Sequence, residues 1–119
     1  MSVPLVLVVE DEPLLLMHAV SLLEEAGFDT LEAGNADEAI ALLETRSDIR
    51  IVFTDINLPG SLDGLRLAHA IRHRWPPIEL LLTSGHTPVA DEDMPERGLF
   101  LAKPYDQDEL VRTLRSFVH

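Results

Sequence analysis

The run Leu5-Val6-Leu7-Val8-Val9 contains no polar residue. Continuous apolarity over so short a stretch reads as a β-strand covered on both faces. Further Leu-rich or β-branched runs occupy residues 28–32, 49–54, 78–83 and 99–102. Helical spacings lie between them. Leu15, Ala19, Leu22 and Ala26 recur at three- and four-residue steps, with Pro13 in the first turn and Gly27 just past the end. Ala36, Ala39, Ile40 and Leu43 follow Asn35, a good N-cap. Leu65, Ala68, Ile71 and Trp75 form a third helical stripe, stopped by Pro76-Pro77. Asp106 and Glu109 make a capping-box pair before Leu110, Leu114 and Phe117. Strands alternating with helices through short connections predict an α/β fold, a parallel sheet wrapped by helices on both sides.

One interval breaks the alternation. A helix is due over residues 87–98, but Pro88, Pro95 and a run of acidic residues oppose it. Ala90-Asp91-Glu92-Asp93-Met94 leaves little more than one turn between the prolines. The expectation is a short or missing fourth helix, replaced by a mobile acidic loop.

Length and composition narrow the function classes. A chain of 119 residues fits one domain and buries enough surface to fold without a staple. The absence of cysteine excludes a disulfide scaffold, a Cys-ligated zinc site and a thiol nucleophile. With 21 Asp+Glu against 9 Lys+Arg, the net charge of -12 opposes binding to nucleic acid or an anionic membrane. No apolar run is long enough to span a bilayer, and Met1-Ser2 does not begin a signal peptide. A cytoplasmic protein is expected.

In open parallel sheets, ligands bind beyond the carboxyl ends of the strands. Glu10-Asp11-Glu12 follow the first predicted strand and Asp55-Ile56-Asn57 the third; Thr83-Ser84 close the fourth, and Lys103-Pro104 follow the fifth. Each has an ordinary reading alone: a solvated acidic helix start, a turn residue before Pro59-Gly60, a strand end, a surface lysine. Together they place carboxylates, a hydroxyl and an ammonium on one rim. Clustered carboxylates oppose each other's ionisation, and a hard divalent cation such as Mg2+ relieves that cost. Phosphoryl transfer to a carboxylate suits such a site, with Asp55 attacking, Lys103 holding a phosphoryl oxygen and Thr83 bonding another.

The chain resembles the receiver domain of two-component response regulators over essentially its whole length. Val8-Val9-Glu10-Asp11-Glu12-Pro13 is similar to that family's acidic-pair motif, and Thr54-Asp55-Ile56-Asn57-Leu58-Pro59-Gly60 to its phosphoacceptor motif. Leu81-Leu82-Thr83-Ser84-Gly85 is similar to its hydroxyl motif, and Phe100-Leu101-Ala102-Lys103-Pro104-Tyr105 to its lysine-proline motif. The resemblance implies a flavodoxin-like, doubly wound, five-stranded sheet of order 2-1-3-4-5. It implies Asp55 as phosphoacceptor, Asp11 as a direct Mg2+ ligand, Glu10 acting on the metal through water, and the Asn57 carbonyl as a further ligand. Thr83 and Lys103 would contact the phosphoryl group, Phe100 would fill the switch-aromatic position, and the Lys103–Pro104 bond would be cis. The implied donor is a phosphohistidine on a histidine kinase or histidine phosphotransfer protein.

Three departures stand out. Asp63-Gly64 lies one residue further from Asp55 than in the common pattern, which points to an insertion in the loop 59–62. The interval from Thr83 to Lys103 is short, and Glu10 replaces the commoner Asp. His69 and His73 are spaced i, i+4 but lack a third ligand nearby, and Arg72, His73 and Arg74 complement a helix C-terminus. Trp75 and Tyr105 are expected to pack, and His86 lies close to Thr83 in sequence.

The expected function is a phosphorylation switch or phosphoryl carrier, one receiver domain over residues 1–119 without an output domain. It would be a monomer or weak dimer, and its only turnover would be slow self-dephosphorylation. Partner recognition would rest on the first helix and on the loops around Asp55 and Lys103. An aspartate-nucleophile, Mg2+-dependent phosphatase is the alternative, but Asn57 stands where that chemistry needs a second acid. A flavin or nucleotide binder would want a glycine-rich loop where Glu10-Asp11-Glu12-Pro13 stand.

Overall fold

A computed structural model describes residues 3–60, 62–85 and 89–117. Five strands, β1 (Leu5–Val9), β2 (Asp29–Ala33), β3 (Ile49–Asp55), β4 (Glu79–Ser84) and β5 (Leu99–Ala102), form one parallel sheet of order β2-β1-β3-β4-β5. Four helices accompany it: α1 (Pro13–Glu25), α2 (Ala36–Thr45), α3 (Gly64–Arg74) and α4 (Gln107–Arg115). This is the flavodoxin-like order predicted. Its switch point lies between β1 and β3, where a crevice opens at the carboxyl ends.

Two apolar layers flank the sheet. Leu5, Leu7 and Val9 of β1 pack with Ala39 and Leu43 of α2 and Leu67 and Ile71 of α3. Val6 and Val8 point the other way, toward Leu23 of α1 and Leu110 and Leu114 of α4. The alternation within one unbroken apolar run is what a strand buried on both faces requires. The edge strand β2 instead exposes Asp29 and Glu32. Charged residues there discourage pairing with another chain.

Asn35 and Asp106 cap α2 and α4 as predicted, Asp106 within a full capping box. Glu12 and Asp63 cap α1 and α3. The stripe of α1 is met in part: Ala19, Val20 and Leu23 are buried, Leu16, Leu22 and Ala26 are half-buried against the same layer, and Leu15 is exposed. Leu65, Trp75, Ile40 and Phe117 likewise pack at the margins of the core.

Between β4 and β5 the described residues contain no α-helix, only a 3₁₀ turn at Asp91–Asp93. Pro88, the first of the two prolines set against a helix here, lies outside the described residues, as do His86 and Ser61 of the loop 59–62. The acidic segment 89–98 is tied down rather than loose. His69 Nε2 donates to the Asp93 carbonyl (2.7 Å) and Arg72 Nε to that of Glu96 (2.7 Å). Arg72 Nη1 also reaches the Pro76 and Ile78 carbonyls, each at 2.7 Å. Arg97, in the left-handed region at φ 61°, donates to the Pro76 carbonyl and pairs with Glu79. Val89 and Met94 pack on the core beneath.

Candidate functional site

The ladder registers bring the rim together. Val9 pairs with Ala33 and Thr54, Asp55 with Thr83, and Ser84 with Ala102, so the four strand ends carrying predicted site residues finish side by side. Gly64 lets α3 start directly against β3. A Cβ there would lie 1.8 Å from the Asp55 carbonyl oxygen, and the Gly64 N–H bonds the Ile56 carbonyl at 2.8 Å.

Glu10, Asp11 and Asp55 each offer an oxygen within 4.8 Å of the others. Glu10 and Asp55 are buried, and Asp11 is exposed. Lys103 bridges the buried pair, its Nζ 2.7 Å from Asp55 Oδ2 and 3.0 Å from Glu10 Oε1. The other Asp55 oxygen, Oδ1, accepts the Asn57 N–H at 3.0 Å. The Lys103–Pro104 peptide is cis, and Tyr105 packs edge-on against Phe53 beside it.

Burial drives the Glu10 pKa up; the Lys103 and Glu12 N–H bonds that lower it do not offset this, and the Asp55 charge adds to the rise. For Lys103, burial opposes the charged form, but the hydrogen bonds to Asp55 and Glu10 outweigh it and raise the pKa. The two shifts are not mirror images, because Glu10 is buried more deeply than its partner. Lys103 is therefore a fixed cation. Three carboxylates against one ammonium still leave the cluster two negative charges in excess. All the donors are hard oxygens, the set that suits a small divalent cation.

Thr83 Oγ1 is buried and has no hydrogen-bond partner among the described residues. An orphaned hydroxyl costs stability, so a polar group arriving at the rim gains a ready donor. Phe100, predicted at the switch position, lies on β5 opposite Leu82 and is 38% exposed. Asn57 is exposed, and its side-chain amide donates to Ser84 Oγ at 3.1 Å. Ser84 had no role in the sequence reading. The signal available was two hydroxyl residues in succession at a strand end, which must leave on opposite faces. His69 and Arg72 tie the segment 89–98 to α3, and His73 is exposed. No helix among the described residues is long and apolar enough to cross a membrane.

Comparison with known proteins agrees with this geometry. The nitrogen assimilation regulatory protein NtrX of Azorhizobium caulinodans is 36% identical over 113 residues, covering 89% of this chain and 24% of that protein. The transcriptional regulatory protein AruR of Pseudomonas aeruginosa is 34% identical, covering 98% of this chain and 50% of its own length. The chain thus spans between a quarter and a half of these relatives. Among solved structures, a response regulator receiver protein from Sinorhizobium medicae superposes with a TM-score of 0.90 at 26% identity, covering 98% of this chain and 94% of that one. Another from Pseudomonas putida gives 0.86 at 29% identity, covering 98% of both. Residues 6–115 match the response regulator receiver domain, nearly the whole chain. The chain belongs to that family, the phosphoacceptor switches of two-component signalling.

Proposed function

We propose that Asp55 is the phosphoacceptor and takes its phosphoryl group from a phosphohistidine of a histidine kinase or phosphotransfer protein. The observation that carries this reading is the bridge from Lys103 to Asp55 and Glu10, set against an acidic cluster short of positive charge. An Asp55 carboxylate oxygen attacks phosphorus, the P–N bond breaks, and the imidazole of the donor leaves with the electron pair. Lys103 exchanges its bond to the carboxylate for one to a phosphoryl oxygen. The Thr83 hydroxyl, without a partner among the described residues, donates to another. Asp11, Asp55 and the Asn57 carbonyl are the residues that would hold Mg2+, with Glu10 acting through water. The ion supplies charge neutralisation for the transferring group.

Two surfaces support a protein donor for a switch or carrier of this kind, which we place in the cytoplasm. On α1, Leu14 and Met17 are 73% and 63% exposed, an apolar face beside the rim. A groove lined by Leu15 and His18 of α1 and by Asp55, Lys103 and Tyr105 reaches the phosphoacceptor. The test is incubation with Mg2+ and a small acyl phosphate, followed by intact mass. The wild type gains one phosphoryl group and Asp55→Ala gains none; equal labelling of the variant refutes the assignment.

A further inference from the structure

Two hydroxyl residues close β4, and the structure gives them different partners. Thr83 Oγ1 has none among the described residues, whereas Ser84 Oγ accepts the side-chain amide of Asn57 at 3.1 Å. Ser84 is 4% exposed, and its carbonyl accepts the Lys103 N–H at 3.1 Å. One buried residue therefore grips both flanks of the acidic cluster, Lys103 through its main chain and Asn57 through its side chain.

The position explains why such a grip is needed. The β3–β4 ladder ends at Asp55 and Thr83, with one further bond from the Ile56 N–H to the Thr83 carbonyl at 2.9 Å. Beyond it the backbone turns away toward Gly64, and Asn57 is exposed. The Leu58 N–H holds the peptide carrying the Asn57 carbonyl to the Ile56 carbonyl at 3.2 Å, and the Asn57 N–H bonds Asp55 Oδ1. The Asp55 acceptor is not dependable, since the same carboxylate must receive a phosphoryl group. The Ser84 hydroxyl supplies a further anchor that does not involve Asp55.

We propose that Ser84 is a positioning residue for the metal: by holding the Asn57 amide, it fixes the Asn57 backbone carbonyl in the orientation that a divalent cation at the acidic cluster uses. This inference rests on the reading of Asn57 as a carbonyl ligand. In this role the Ser84 side chain acts through the Asn57 amide, whose hydrogen bond it accepts.

Isothermal titration of Mg2+ into the unphosphorylated chain tests it, with Ser84→Ala, Asn57→Ala and the double variant. Asn57→Ala keeps the backbone carbonyl and removes only the amide that Ser84 holds. Loss of one such hydrogen bond should weaken Mg2+ binding about fivefold in each single variant. The double variant should be no weaker than either single one, because both remove the same link. Ser84→Thr retains the hydroxyl and should recover most of the affinity. A purely structural serine would lower the melting temperature of the metal-free protein and leave the dissociation constant unchanged, which overturns the inference. Additive losses in the double variant overturn it too. If Ser84→Ala does not fold, the exposed Asn57→Ala decides alone, and wild-type affinity there refutes the proposal. Absence of Mg2+ binding by the wild type would instead refute the metal site itself.

Discussion

Asp11→Asn should move stability in opposite directions with and without magnesium. Asp11 is exposed, its carboxylate has no hydrogen-bond partner among the described residues, and it lies within 4.8 Å of oxygens on Glu10 and Asp55. At that separation, two like charges repel by about 0.9 kcal/mol in a dielectric like that of water. The water value is the right one for an exposed group. Two carboxylates oppose Asp11 and one ammonium favours it, so one uncompensated repulsion of about 1 kcal/mol remains. Asparagine has the same shape and removes the charge. In chelator, the variant should melt higher than wild type by about 4 °C.

Magnesium reverses the order. A ligand bound only by the folded state stabilises it by about 2.7 kcal/mol at a hundredfold excess over its dissociation constant. That corresponds to a rise of about 10 °C in the wild type. Without the Asp11 charge, most of this rise disappears. Melting curves of both proteins in chelator and across a magnesium titration should therefore cross. Parallel curves would show that the ion binds without Asp11. A variant less stable than wild type in chelator would show that Asp11 is not repelled by its neighbours.

Other perturbations follow from the same contacts. Lys103→Met strands two buried carboxylates and should cost about 3 kcal/mol in metal-free urea unfolding, with magnesium restoring part of it; no loss would mean that the bridge does not form. Gly64→Ala drives a methyl into the Asp55 carbonyl, so α3 or the end of β3 must shift, at a cost of about 3 kcal/mol; wild-type stability would refute that close approach. Thr83→Ala removes an orphaned hydroxyl and should change stability by less than about 1 kcal/mol, while shortening the lifetime of the phosphorylated protein; an unchanged lifetime would exclude Thr83 from the phosphoryl site. Arg72→Ala removes the side-chain donor to the carbonyls of Ile78 and Glu96, while Arg97 still holds that of Pro76, and should speed amide exchange across residues 89–98 while leaving α4 protected.

What could be read from the sequence depended on whether side chains or main chain did the work. The strands were legible because a sheet covered on both faces demands unbroken apolarity, and the rim because parallel strands all end on one edge. Asp55 and Lys103 are 48 residues apart in sequence yet 2.7 Å apart in space; the parallel order puts both on one edge, and the long Lys103 side chain reaches past the intervening β4. The phase of α1 was legible only in part. Leu14-Leu15-Leu16 puts an apolar residue on several sides of the helix, so periodicity cannot choose among stripes, and packing buried Ala19, Val20 and Leu23 while leaving Leu15 exposed. The segment 89–98 shows the limit most clearly. Its prolines and acidic run correctly forbid a helix, but the same composition suggests a loose, solvated loop. The groups that tie it to α3 are main-chain carbonyls of Asp93 and Glu96, accepting from His69 and Arg72. Every residue carries a carbonyl, so no pattern in the sequence marks the two that are used. The donors are distinctive, but Arg72 in the last turn of α3 is already explained by the helix dipole, and His69 in mid-helix shows in the sequence only its i, i+4 spacing to His73. A polar side chain with one sufficient reason to be where it is gives no sign of a second.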